Sequence, residues 1–314
     1  MKILAWKCRG LARLAVVQTL RRLIRDQSPD ILFLSKTKIS HPQVSATLNS
    51  LGFFLVSQVA AIGISGGLVL TWRPGIDLEC FVLNKNNISA WCYSDPPTSP
   101  WILSCVYGPS NRSDRRAFWD SFASIGESFE ASWLCIGDFN SILVQSEKQG
   151  RRPVAGASHC PFKRFIDHFG MVDLGFARNP FTWSNNMMGL ENIKERLDRG
   201  QASPSWTHLH PDYSLIHLPA HNSDHNPISL NTNSTSSFLA RPFRFEEFWT
   251  KDFSCGQVIE VAWQKFVPIH GRTKNSTRQL HESFVIKWLC KCECRTHRES
   301  RLCELILIPK LIIS

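Results

Sequence analysis

The stretch Trp133-Leu134-Cys135-Ile136-Gly137-Asp138-Phe139-Asn140 constrains the fold more than any other. A short apolar run breaks into Gly-Asp-Phe-Asn, which reads as a buried strand whose closing turn carries a carboxylate and a carboxamide into solvent. Side chains two apart in an extended chain share a face, so Asp138 and Asn140 are expected to address a common object. Gly, Asp and Asn also supply ordinary turn geometry, so the tetrapeptide alone does not mark a site. The rest of the chain has to decide.

The other elements follow an α/β pattern. Met1 to Cys8 (MKILAWKC) reads as a strand, closed by an Arg9-Gly10 turn. Leu14, Val17, Leu20, Leu23 and Ile24 recur at three and four, which predicts an amphipathic helix up to Arg25. Ile31 to Ser35 is a second buried strand, and strand, helix, strand at this spacing predicts a parallel pair. From Gly52 to Tyr107, short apolar runs alternate with turn signals such as Ser65-Gly66-Gly67 and Pro74-Gly75, predicting an antiparallel meander. Helical spacing returns over Asp114 to Phe129 and around Phe162, Phe165, Ile166 and Phe169. Further strands are expected at Pro180 to Ser184, Ile193 to Leu197, Tyr213 to Leu218 and Pro227 to Asn231, with a helical piece near Ser203 to His208. The polar run Asn231 to Ser237 predicts a domain boundary, giving a domain over 1–232 and a linker plus connector over 233–314.

Composition narrows the class. A chain of 314 residues with 43% hydrophobic and 20% charged content can bury a substantial core. No apolar run approaches eighteen residues and the N-terminus lacks a signal-peptide layout, so an intracellular chain with no membrane partner is expected, the nucleus included among its compartments. Cysteines stand singly in apparent strands (Cys8, Cys80, Cys92, Cys105, Cys135), which fits reduced thiols. Cys290, Cys292, Cys294 and His297 lack the two spaced pairs of a zinc site. The formal charge of +10 suits a polyanion, although it is spread along the whole chain.

Polar residues capable of chemistry fall at or near the ends of separate strands: Lys7, Lys36, Tyr107, Asp138 with Asn140, Asp198, and Asp224 with His225. Each has an ordinary structural explanation by itself. Together, a carboxylate, an amide, a tyrosine and an Asp-His pair at strand edges are what a hydrolytic site on a sheet edge requires.

Six motifs, in order, carry a resemblance. They are Trp6-Lys7-Cys8-Arg9-Gly10, Leu34-Ser35-Lys36-Thr37-Lys38, Val106-Tyr107-Gly108, Ile136-Gly137-Asp138-Phe139-Asn140, Arg196-Leu197-Asp198 and Ser223-Asp224-His225-Asn226-Pro227. The chain from 1 to about 232 resembles the endonuclease/exonuclease/phosphatase superfamily, in particular the apurinic-type endonuclease domain of plant non-LTR (LINE-type) retrotransposon polyproteins. Phe181-Thr182-Trp183-Ser184 and Arg241-Pro242-Phe243-Arg244-Phe245-Glu246 resemble the same lineage, the second belonging to a connector that leads to a reverse transcriptase, absent here.

The resemblance implies a four-layer α/β sandwich, two packed mixed β-sheets flanked by helices, trailed by a poorly ordered helical connector. It implies a phosphodiesterase that nicks DNA with Mg²⁺ or Mn²⁺, as a monomer without an obligate protein partner. In it Asp138 would act on the attacking water with Asn140 fixing that water, and His225, oriented by Asp198, would meet the scissile phosphate. Tyr107 would donate to a phosphate oxygen and Asp224 would complete the metal region. Two positions depart from the pattern: Lys7 stands where the family has Asn, and Lys36 where it has the metal-binding Glu. An ammonium offers a metal no lone pair, so catalytic impairment is expected. Two other readings remain: a non-catalytic nucleic-acid-binding remnant in which both lysines hold phosphate, and a phosphatase for small phosphoesters.

Overall fold

Strand alternation decides which side chains meet. Along Lys2–Lys7 (β1), Ile3 and Ala5 face inward, and so does Lys7. The computed structural model describes residues 1–62, 65–150, 160–219 and 222–234. The chain divides into two units, Met1–Pro242 and Phe243–Ser314, and all described residues belong to the first. Nearly all of the connector expected over 233–314, with Cys290 to His297, lies outside them.

After β1 come α1 (Leu14–Gln27), β2 (Ile31–Ser35), α2 (His41–Asn49), β3 (Leu55–Ile62) and β4 (Ser65–Trp72). Then follow β5 (Leu78–Leu83), β6 (Asn87–Cys92), β7 (Trp101–Tyr107), α3 (Arg112–Ser128) and β8 (Trp133–Asp138). Short pieces come next: β9 (Lys148–Gln149), α4 (Pro161–Phe169), β10 (Val172–Asp173), β11 (Ala177–Arg178), β12 (Trp183–Ser184) and β13 (Lys194–Glu195). The last elements are β14 (Asp198–Ala202), α5 (Pro204–Leu209), β15 (Ser214–His217) and β16 (Ile228–Asn231).

They form two mixed sheets, ordered β11-β15-β16-β1-β2-β4-β3 and β10-β14-β8-β7-β6-β5, and a small antiparallel sheet ordered β12-β13-β9. The parallel pair β1–β2 anticipated from the sequence is present, and β7–β8 is also parallel. One core lies between the sheets, with Ile3, Phe33 and Leu70 of the first meeting Leu103, Leu134 and Ile136 of the second. A second core packs Val16, Leu20 and Val44 of α1 and α2 onto the first sheet through Leu4, Trp6 and Leu32. A third packs Trp119, Phe122, Phe162 and Phe165 of α3 and α4 onto Ile102, Val106 and Cys135. Helices, sheet, sheet, helices is the four-layer sandwich.

The Gly52 to Tyr107 meander is corrected: β3 and β4 belong to the first sheet and β5 to β7 to the second. The chain crosses at Arg73 to Ile76, where the Pro74-Gly75 turn carries it from one sheet to the other. Besides the two-residue strands β9, β10 and β11, two elements were not anticipated. The first is α2, which buries only Val44 and Leu48. The second is β14, whose sequence Asp-Arg-Gly-Gln-Ala is polar yet fully buried. Six cysteines among the described residues are free, and no helix among them is long and apolar enough to cross a membrane.

Candidate active site

At one end of the inter-sheet core the apolar side chains give way to polar ones. The inward series Ile3, Ala5 ends in Lys7, Leu103 and Cys105 in Tyr107, and Leu134 and Ile136 in Asp138. Register places Tyr107 and Asp198 as the two neighbours of Asp138, on β7 and β14. Gly137 allows this crowding. Its φ is +137°, and a Cβ there would drive into the carbonyl oxygen of Val106.

From the other sheet, Lys7 Nζ crosses to donate to Asp138 Oδ2 at 2.7 Å, and both groups are buried. His225 Nδ1 lies 2.8 Å from Asp198 Oδ2, the expected imidazole–carboxylate pair. The His225 carbonyl accepts from Trp6 Nε1 at 3.1 Å, and Thr182 Oγ1 accepts the backbone N–H groups of Leu197 and Asp198 at 3.0 and 2.9 Å. Lys7 Nζ and Lys36 Nζ lie 5.4 and 5.8 Å from the Tyr107 ring centroid. Tyr107, Asp138, Asp198, His225, Lys7 and Lys36 therefore gather at this one end of the inter-sheet core.

Two expectations change. The Asp138 carboxylate is buried, not carried into solvent. The strand ends there and Asn140 turns into left-handed backbone, φ +47°, so the two side chains do not line one extended face. Instead, Asn140 N–H donates to Asp138 Oδ1 at 2.9 Å and its amide Nδ2 donates to the Gly108 carbonyl at 2.6 Å. Asp224 stands beside the Asp138/Asp198/His225 group: its Oδ2 accepts from Arg9 and, at 3.0 Å, from Trp183 Nε1, while Oδ1 is buried without a hydrogen-bond partner among the described residues. Arg9 and Trp183 were visible in the motifs, but nothing in their spacing linked them to Asp224.

The electrostatics follow from these contacts. Burial pushes the Asp138 carboxyl up, but the charges of Lys7 and His225 and the donated hydrogen bonds outweigh it and hold it below the ordinary carboxylate range. Burial, aided by Asp138, raises Asp198. Burial lowers Lys7, yet Asp138 more than reverses this, so Lys7 stays charged. Tyr107 is raised by burial.

Asp138, Asp198 and His225 each offer a ligand atom within 4.8 Å of the others, so by donor type the group could hold a metal ion. Its surroundings do not fit hydrated Mg²⁺. Asp138 Oδ2 and Oδ1 already accept hydrogen bonds from Lys7 Nζ and Asn140 N–H, Asp198 Oδ2 pairs with His225 Nδ1, and the Lys7 ammonium lies 2.7 Å from the carboxylate that would ligate the ion. A divalent ion about 4 Å from an ammonium is repelled by roughly 8 kcal/mol at an effective dielectric of about 20.

No protein-family model matches the chain, and no curated protein matches it. Solved structures do. An AP endonuclease from Leishmania major superposes with TM-score 0.57 at 18% identity, over 73% of this chain and 86% of that one. A 3′ phosphatase from Neisseria bound to product DNA hairpin gives 0.55 at 16%, over 74% and 98%. An AP endonuclease from Archaeoglobus fulgidus gives 0.55 at 14%, over 74% and 98%. The likeness establishes the fold, which this chain shares with these two AP endonucleases and this 3′ phosphatase.

Proposed function

We propose that this chain is a DNA-nicking phosphodiesterase domain derived from a LINE-type retrotransposon, catalytically impaired because Lys7 neutralises its base. The observation that carries this is the 2.7 Å contact of Lys7 Nζ with Asp138 Oδ2. In-line attack on a phosphodiester needs a positioned water, a group to take its proton, and charge to meet the phosphate. Asp138 would take the proton, His225 held by Asp198 would face the phosphate, and Tyr107 would donate to it. A carboxylate whose two oxygens already accept from Lys7 and Asn140, and which is held below its ordinary pKa, is a poor proton acceptor. The domain extent of 1–232 and the retroelement origin rest on the six motifs and on the connector-like segment at Arg241 to Glu246. DNA as the partner is supported by the Neisseria relative, bound to a DNA hairpin, and by the +10 charge.

Binding would be sequence-independent and electrostatic. Fluorescence anisotropy with a duplex should show affinity falling at least about 10-fold between about 50 and 200 mM NaCl, as counterion release requires. An affinity that changes less than about twofold over that range would remove DNA from the reading.

A further inference from the structure

This inference rests on reading this end of the inter-sheet core as a phosphodiester site, and it addresses what holds the phosphate there. Lys7 and Arg9 are both spoken for, by Asp138 and Asp224. Lys36 is not. It is half-buried beside the Tyr107 ring, and among the described residues no carboxylate pairs with it. Lys7 is paired with Ser35 across β1 and β2, so the turns that carry Arg9 and Lys36 leave neighbouring strands side by side, and burial with the charges of Lys7 and Arg9 pulls the Lys36 pKa down. A partly desolvated ammonium among like charges calls for an anion.

The backbone supports the same conclusion. Arg9, Lys36 and Lys38 take φ of 55°, 55° and 56°, a region that long side chains rarely occupy. These loops are fixed: Cys8 N–H donates to Ser35 O at 3.1 Å and Leu11 N–H to Thr37 O at 2.8 Å. Thr37 and Lys38 N–H donate to Gly67 O and Gly66 O at 3.3 Å each. The two turns that carry Arg9 and Lys36 are thus held next to each other by backbone hydrogen bonds.

We propose that Lys36, with Arg9 beside it, binds a phosphate oxyanion directly and without a metal ion, as the anion subsite of this site. The ammonium supplies up to three donors, and the Arg9 guanidinium, 44% exposed, can share its fork between Asp224 and a phosphate oxygen. The ligand chemistry is a phosphate group, whether inorganic phosphate or the terminal monoester of a nucleic-acid strand.

The test uses the full chain in EDTA, by calorimetry and thermal shift, at ionic strength matched with NaCl. The probes are inorganic phosphate, a 5′-phosphorylated hexanucleotide and the same hexanucleotide without phosphate. Saturable phosphate binding is expected in the parent, weakened at least about 10-fold by Lys36→Gln and measurably by Arg9→Gln, since each removes a charge-assisted donor. Arg9 is exposed enough for its variant to report on the subsite even where Lys36→Gln does not fold. A gain in oligonucleotide affinity on phosphorylation supports the strand terminus as source, and inorganic phosphate binding alone supports free phosphate. No phosphate-specific binding by the parent, or unchanged affinity in both variants, overturns the subsite. In that case salt-sensitive duplex binding would still stand as evidence for the nucleic-acid reading, while phosphate binding without duplex binding would keep the subsite and remove that reading.

Discussion

Lys7→Asn combined with Lys36→Glu is expected to raise Mg²⁺-dependent plasmid nicking about 10²-fold or more, the scale on which a working general base contributes. Lys7→Asn removes the ammonium that sits 2.7 Å from Asp138 Oδ2 and leaves a neutral amide in its place. Lys36→Glu replaces a half-buried cation near the same tyrosine with an oxygen donor of opposite sign. Each single change leaves one misplaced charge in the site, so the double variant should exceed the product of the singles. The measurement is conversion of supercoiled to open-circular plasmid by parent, singles and double. A folded double variant that remains inactive would locate the defect away from the two lysines.

The second large effect is on stability. Glu147→Ala is expected to cost about 3–5 kcal/mol, because it leaves the buried Arg199 guanidinium without its hydrogen-bonded carboxylate and takes one of two from Arg196. Glu147 accepts from Arg199 through both oxygens at 2.9 Å and from Arg196 Nη1 at 3.0 Å, and neither arginine is exposed. Asp173 holds the far side of Arg196 at 2.6 and 2.7 Å. The two arginines flank Leu197 and Asp198 in sequence, so the network also fixes the strand that carries the carboxylate bonded to His225. Urea unfolding of parent and variant measures the loss, and a difference below about 1 kcal/mol would contradict a structural role for the network.

Acid should act through the same group. Burial raises the Glu147 carboxyl, but Arg199 and Arg196 outweigh it and leave it depressed. Its contribution is therefore present above the unfolded-state value of about 4.3 and is lost as pH falls through the lower folded value. Glu147→Gln should show a shallower loss of stability in that acid window than the parent.

The sequence revealed those parts of the molecule in which the local pattern and the global arrangement agree. The β1, β2 and β8 strands announce themselves because apolar residues fill both their faces, and Asp138 marks where that filling stops. β14 was hidden for the opposite reason: Asp198, Arg199 and Gln201 look like a loop until Glu147 and Asp173 supply buried partners from other segments. α2 carries too little apolar surface for periodicity to show it. Its signal was at the start, where Ser40 and Gln43 form a capping box and Pro42 opens the first turn. The imidazole–carboxylate pair of His225 and Asp198 was legible through motif order, since both lie at strand edges. The grip of Lys7 on Asp138 was not, because 131 residues separate them and no sequence pattern reports which side chains cross between sheets.

Plasmid nicking by the unaltered chain tests the central claim most directly. Supercoiled DNA is incubated with the parent protein in Mg²⁺ and separately in Mn²⁺, alongside Asp138→Ala. If Lys7 neutralises the base, the parent should be indistinguishable from Asp138→Ala in both metals. Robust metal-dependent nicking by the parent that Asp138→Ala abolishes would contradict the account, because it would show Asp138 working with Lys7 in place.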